Sequence, residues 1–420
     1  MGQSYVDEGI DERPATFSLF FRTLPPGWGY ALAAGLDSAL RYLEQVIFCE
    51  DDLAYLESTG LFRAAFLARL RELRFRGSVR ATPEGTVVFP HEPVLELSAP
   101  LLEAQLVETM VLNLVHLETL VASKAARCVD AAGDRQLVDF SLRRTHGGEA
   151  GLKVARASYL AGFDATSNVL AGRLYGIPIA GTMAHSYVES FPDELEAFRA
   201  YARAFPDRSI LLVDTYDVER GTARAIEVAR ELAASGHRLR GVRIDSGELA
   251  DLSRRARRLL DAAGFDDAIV FVSGGLDERD IARLLAAGAP IGGFGVGSKM
   301  GTAADSPFLD MAYKLVELDG RPTLKLSPGK ATLPGRKQVH RRDGHDVLAL
   351  AGGDGLLVRV MAGGRRLNVE HLAVARERAR AQREALSPAQ RTLDAPAYEV
   401  RIDPALERLR AELTAGSTVS

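Results

Sequence analysis

Cysteine is scarce in this chain. Cys49 and Cys128 are the only two, they lie far apart, and neither belongs to a C-x-x-C pair. A disulfide framework and a cysteine-based zinc site are therefore excluded as organising devices, and a reducing cytoplasm is the expected compartment. Charge of one sign is also lacking. A net charge of −4 and a pI near 6.1 give no bulk attraction to nucleic acid or anionic membranes. Uninterrupted apolar runs are missing too. The most apolar long segment, Leu101–Val129, is broken by Glu103, Glu108, His116, Glu118 and Lys124, so it reads as a buried helix or helix pair and not as a membrane span. Near the N-terminus stand Asp7, Glu8, Asp11 and Glu12 with no apolar stretch, which argues against a signal peptide. No internal repeat or low-complexity segment is visible.

What is present is ordinary globular composition, 47% apolar, enough for a sizeable core. At roughly 150 residues per domain the chain should hold two or three domains. Ala15–Phe21 alternates like a strand, and Ala31–Phe48 carries Leu32, Leu36, Leu40, Leu43 and Ile47 at helical spacing. Asp51–Arg74 reads as a further helical region. Short strands are expected around Pro83-Glu84-Gly85.

From about residue 135 a rhythm sets in. Apolar runs at Leu137–Leu142, Ile177–Ala180, Ser209–Val213, Gly241–Ile244, Ala268–Val272 and Pro290–Phe294 each end in polar or glycine-rich loops. Helices between them start acidic and stop at glycine, as at Asp277 and Gly288. That alternation predicts a parallel sheet, curved into a closed or partly closed β/α barrel. After about residue 330 the character changes to a basic, Pro- and Gly-rich segment (Lys330–Arg342), short strands, and helices at Leu372–Leu386 and Leu406–Leu413, with a frayed tail from Ala415.

Chemistry in such folds sits where strands end. The run Ile177–Ala180, read as a buried strand, empties into Gly181 and then presents Thr182, His185 and Ser186. Arg143 and Arg144 follow another strand, and a guanidinium fork suits phosphate or carboxylate. Arg243 and Asp245 are two apart on one strand and so share a side, where they either bind a ligand or pair with each other. Two glycine loops come next, Ser273-Gly274-Gly275 and Gly295-Val296-Gly297-Ser298. Successive loops of this kind offer backbone N–H groups to an anion, and after the last strands of a barrel they point to a phosphosugar.

Taken together the motifs resemble one family, nicotinate phosphoribosyltransferase. The matching runs include Phe17-Ser18-Leu19-Phe20-Phe21-Arg22, Arg143-Arg144, Gly162-Phe163-Asp164-Ala165-Thr166-Ser167-Asn168, Gly181-Thr182-Met183-Ala184-His185-Ser186, Asp214-Thr215-Tyr216, Arg243-Ile244-Asp245-Ser246-Gly247, Gly295-Val296-Gly297-Ser298-Lys299-Met300-Gly301-Thr302 and Thr332-Leu333-Pro334-Gly335. The resemblance implies an irregular parallel β/α barrel of the type II phosphoribosyltransferase kind with a second α+β domain. It implies joining of nicotinate to 5-phosphoribosyl-1-pyrophosphate, driven by ATP, to give nicotinate mononucleotide and pyrophosphate in NAD salvage. Thr182 and Arg243 would meet nicotinate, with Phe163 a further candidate at the ring. His185 would be the histidine that ATP phosphorylates. Arg143, Arg144, Gly274, Gly275, Gly295, Gly297 and Ser298 would hold phosphoribosyl pyrophosphate, and Asp245 the ribose hydroxyls or Mg²⁺.

One departure stands out. The family's N-terminal Asp-Leu-Tyr-x-Leu-Thr-Met motif carries a tyrosine that packs on the nicotinate ring, and Met1-Gly2-Gln3-Ser4-Tyr5 matches only its end. The expectation is therefore a natural start upstream of Met1 and poor nicotinate use without it, unless Tyr5 or Phe163 fills the gap. Expected domains are residues 1–115 (α+β), 116–330 (barrel) and 331–420, the last packing with the first. A cytoplasmic homodimer, with no nucleic-acid or membrane partner, completes the expectation. The rivals are transfer to nicotinamide or quinolinate, a non-catalytic relative lacking the stacking segment, and a phosphosugar isomerase on a barrel.

Overall fold

The computed structural model describes residues 1–327 and 332–417. Lys330 of the basic segment and residues 418–420 of the expected tail lie outside them. The chain forms two compact units, Met1–Ser123 with Phe308–Ser420, and Lys124–Pro307.

In the first unit, strands from both parts of the chain pair in one antiparallel sheet of seven. Pro14–Phe21 lies between Leu95–Pro100 and Met311–Leu318, with Ser78–Ala81 and Val358–Ala362 further out. Its alternate residues divide as strand geometry requires. Phe17, Leu19 and Phe21 join Val79, Leu97 and Tyr313 in the core, and Phe17 stacks on Tyr313 at 4.7 Å. Thr16 and Ser18 face the other way, and the Ser18 hydroxyl donates to Glu96 at 3.0 Å. The helix expected over Ala31–Phe48 is shorter, Leu36–Gln45. Ala31–Leu32 pairs instead with Val87–Val88, and Gly35 between them sits at φ 89°, where a helix cannot pass. The region 51–74 divides into Glu50–Ser58 and Ala64–Glu72. The last helix, Pro404–Ser417, runs through Ala415, where fraying was expected.

The second unit is an open, irregular parallel β/α barrel. Its six strands lie in the order Ala165–Thr166, Gln136–Asp139, Gly293–Val296, Ile269–Val272, Gly241–Ile244, Ile210–Leu212. The run Ile177–Ala180 is not a buried strand. It makes a single bridge, Ile179 to Thr166, and Ile179 is 53% exposed. The strand in that part of the chain is Ala165–Thr166, two residues long and too short to produce a period. The run from Pro290 is a strand only over Gly293–Val296. Asp277 caps the helix Glu278–Ala286, accepting from the N–H groups of Arg279 and Asp280 at 3.0 and 2.9 Å. Buried Lys124 and Arg127 grip Glu278 at 2.7 and 3.0 Å, which fixes the start of this helix and the glycine loop before it. Among the described residues, no helix is long and apolar enough to cross a membrane.

A second buried cluster ties the first unit together. Arg341 donates to Asp346 at 2.7 Å, Tyr398 donates to the same carboxylate at 3.3 Å, and Tyr398 stacks on Phe89 at 3.7 Å. Buried Glu92 faces Asp346. Burial and that neighbouring carboxylate push Glu92 well above the usual range, which favours its protonated form. A raised folded pKa gives stabilisation that is whole below the ordinary glutamate range of about 4.3 and lost as pH rises through the folded value. Glu92→Gln imitates the protonated acid. Its melting temperature should match that of the parent at acid pH and exceed it increasingly toward neutral and alkaline pH; parallel curves would contradict the assignment.

Candidate active site

The second unit places one guanidinium at the centre of a polar network. Arg243 stands on Gly241–Ile244. Val242 and Ile244 are fully buried, so the pleat turns Arg243 and Asp245 to the opposite side, as the spacing predicted. Arg243 Nε donates to the Ser273 hydroxyl at 2.8 Å. Nη1 donates to Thr182 Oγ1 at 2.7 Å and to the Met183 carbonyl at 3.2 Å, and Nη2 donates to Asp245 Oδ1 at 2.7 Å. Self-pairing, one of the two readings open in the sequence, is thus what the free chain shows. A guanidinium has five N–H donors; these bonds leave one, on Nη2, for a ligand. Thr182 in turn donates its hydroxyl to the Met183 carbonyl at 3.2 Å, a bond long enough to be exchanged.

Asp245 accepts from Ser273 as well, at 2.5 Å. Burial pushes its carboxyl up, but the Ser273 hydroxyl and the Arg243 guanidinium, with His185 nearby, pull it below the usual range. It is a firm anion at neutral pH. Asp214 supports it from the next strand, its Oδ2 accepting from the Asp245 N–H and the Ser246 hydroxyl, each at 2.8 Å. The other oxygen, Asp214 Oδ1, is buried with no hydrogen-bond partner. His185 opens a short helix, His185–Glu189, and its Nδ1 lies 3.2 Å from Thr215 Oγ1.

Phe140 supplies an aromatic wall. It follows Gln136–Asp139, and the Arg243 guanidinium carbon lies 5.4 Å from its ring centre. The strand end below it is locked by buried Asp139, which accepts from the Ser141 N–H at 2.9 Å and the Thr166 hydroxyl at 2.8 Å. Arg143 and Arg144 follow in an exposed single turn, with no ion pair among the described residues, and so remain free to meet an anion. Gly274 has φ 105°, and a Cβ there would meet the Asp245 carbonyl oxygen at 2.1 Å, so only glycine lets this loop close over Asp245. Gly275 follows in the same loop. Gly297 follows the strand Gly293–Val296, and Ser298 opens the short helix Ser298–Gly301. Lys299 binds Asp280 at 2.6 Å and Asp277 at 3.2 Å, joining the two glycine loops.

Two expected site residues sit elsewhere. Gly295 is inside its strand, and its missing side chain makes room for the Phe140 ring, which a Cβ would meet at 2.5 Å. Phe163 is fully buried beside Asp164, which exchanges hydrogen bonds with Leu137 of the neighbouring strand, and so it offers no open ring face to a ligand. Tyr5 packs on the core of the first unit.

The model of the nicotinate phosphoribosyltransferase N-terminal domain matches residues 1–116, and that of the nicotinate phosphoribosyltransferase family matches residues 135–332. The chain belongs to the nicotinate phosphoribosyltransferase family. Nicotinate phosphoribosyltransferase pncB2 of Mycobacterium tuberculosis is 50% identical, with 100% of this chain and 94% of that protein covered. The nicotinate phosphoribosyltransferase of Bacillus subtilis is 47% identical, with 81% and 71% covered. The crystal structure of human nicotinic acid phosphoribosyltransferase superimposes with a TM-score of 0.87 at 33% identity, covering 99% of this chain and 98% of that one. The chain is therefore an enzyme of this family.

Within a nicotinate phosphoribosyltransferase site, Phe140, Ser273, Asp214 and Thr215 had drawn no role from sequence. All four stood in or beside quoted motifs, and what marks them is contact with Arg243, Asp245 or His185, which spacing does not reveal. Among the described residues no cluster of three or more His, Cys, Asp and Glu could cage a metal. Asp245 and the unpartnered oxygen of Asp214 suit the other pattern, a Mg²⁺ carried mainly by phosphate oxygens and one or two carboxylates. Gly295→Ala should lower stability by about 1–3 kcal/mol, the usual cost of overpacking, and should displace Phe140. Urea unfolding together with a crystal structure of the variant checks this; an unmoved ring at unchanged stability would contradict it.

Proposed function

We propose that the chain joins nicotinate to 5-phosphoribosyl-1-pyrophosphate, coupled to ATP hydrolysis, in NAD salvage. The observation that carries this reading is a guanidinium and a hydroxyl, Arg243 and Thr182, 2.7 Å apart beside an aromatic wall. A pyridine ring with one carboxylate fits that set. The carboxylate takes the remaining Nη2–H of Arg243 and the Thr182 hydroxyl, and the ring lies against Phe140. Nicotinamide lacks the charge, and quinolinate brings a second carboxylate, whereas the Arg243 guanidinium has a single N–H left to give.

Phosphoribosyl pyrophosphate lies across the loops at Gly274–Gly275 and Gly297–Ser298, its anionic groups meeting Arg143 and Arg144. Asp245 and Asp214 are the residues that would hold Mg²⁺, which would supply positive charge to the pyrophosphate. The ring nitrogen enters as pyrophosphate departs from the ribose carbon, so positioning and charge neutralisation carry the step. His185 attacks the γ-phosphorus of ATP and releases ADP; water later takes the phosphoryl group. Thr215 holds Nδ1 of that imidazole. Unbonded Cys49 and Cys128 fit the cytoplasm. Tyr55, Leu61 and Phe308, all largely exposed in the single chain, support assembly as a homodimer.

An end-point assay for nicotinate mononucleotide, with ATP present and omitted, tests the reading. The parent chain should form product faster with ATP. His185→Ala should keep a slow ATP-independent synthesis and lose both ATP hydrolysis and acid-labile label from γ-labelled ATP. Label entering the variant at the parent's stoichiometry would remove His185 from this role.

A further inference from the structure

The parallel sheet of the second unit has two free ends. One is Ala165–Thr166, with Ile179 bridged to its outer side, the other is Ile210–Leu212, and no ladder joins the two. A cavity of about 1050 Å³ lies at this seam, lined from both ends and by strand beginnings such as Ile210 and Ile269. Part of its wall is apolar, Ile179, Ile210, Ile269 and Leu239 with the ring of Phe205, and the rest is polar or charged. Several of these are unusually open for their type. Val169 is 65%, Ile179 53% and Phe205 50% exposed, and all three line the same cavity. Core packing does not explain large apolar side chains gathered in the open around one cavity.

Charge at the cavity is unbalanced. Asp207 is already bound by His237 at 2.9 Å and Asp267 by Arg238 at 3.3 Å. Arg208 and Arg240 line the same cavity and make no ion pair among the described residues. Apolar walls beside unmatched guanidinium groups suit a molecule with an apolar body and one anionic end. The cavity also reaches Thr182, the residue that accepts from Arg243.

We propose that this seam cavity is a second binding site, for an amphiphile with an aromatic or aliphatic body and a single anionic end group. The body lies against Ile179, Ile210 and Ile269, and the anion meets Arg208 and Arg240. The occupant presses on Thr182 and so weakens nicotinate binding. The coupling rests on nicotinate being the ligand at Arg243, whereas the binding does not.

The test titrates the full chain with 8-anilino-1-naphthalenesulfonate, followed by fluorescence. One saturable site per chain is expected. Arg208→Gln combined with Arg240→Gln should weaken it by about tenfold, the loss of a charge-assisted contact. Val169→Trp, at an exposed wall position, should fill the cavity and abolish it, and Val374→Ser in the other unit should leave it unchanged. Unsaturable binding, or binding that ignores both cavity variants, overturns the site. In the second arm the same probe should raise the nicotinate KM of the parent and not of Val169→Trp. Saturable, cavity-dependent binding without that KM change overturns the coupling alone. A parent that turns over no nicotinate counts against the reading of the Arg243 site and leaves the binding arm decisive for the cavity.

Discussion

A guanidinium held on a barrel strand is the constraint on which the site depends. Arg243 is mostly out of water, and an unpaired charge there would cost several kcal/mol. Each neighbour answers that cost. Asp245 supplies the opposite charge, Ser273 orients both partners, and Thr182 and the Met183 carbonyl take Nη1. Asp214 then steadies Asp245 through its backbone N–H. Four loops are thereby tied to one side chain, and their positions at the strand ends follow from the parallel order of the sheet.

This internal pairing changes what the site can do. A ligand carboxylate does not meet a bare fork; it meets one free N–H and a threonine hydroxyl whose present bond is weak. The affinity for an anion is moderated, while the geometry stays fixed before the ligand arrives. Preorganisation of that kind suits a reaction in which the protein mainly positions two substrates and neutralises a leaving pyrophosphate. The same logic explains Gly274 and Gly295. One lets a loop pass against the Asp245 carbonyl, and the other leaves space for Phe140.

Much of this is legible in the amino-acid sequence. The strand Gly241–Ile244 has the bounds of its apolar run, and the Arg243–Asp245 spacing puts both on one face. Helix starts at Asp277 and stops at Gly288 follow from capping chemistry. What is not legible depends on contacts distant in sequence. Ile177–Ala180 has strand-like composition, yet it lies at an open end of the sheet and makes one bridge. Phe163 sits in a family motif, but the chain buries it fully, while Phe140 takes the place beside Arg243. In the first unit, Leu32 continues a helical period from Leu36 and Leu40, and pairing with Val87 overrides it. Periodicity reports which side of an element is buried, not which partner buries it.

The central claim is that the Arg243 guanidinium reads the substrate carboxylate through its fixed network. Calorimetric titration of nicotinate and nicotinamide into the parent and Arg243→Lys measures it directly. A lysine keeps the charge but cannot bond Ser273, Thr182 and Asp245 while offering another N–H. The account predicts that the parent prefers nicotinate, and that the variant loses about 2 kcal/mol or more of nicotinate affinity, roughly thirtyfold, with nicotinamide little changed. Equal nicotinate affinity in parent and variant would contradict it.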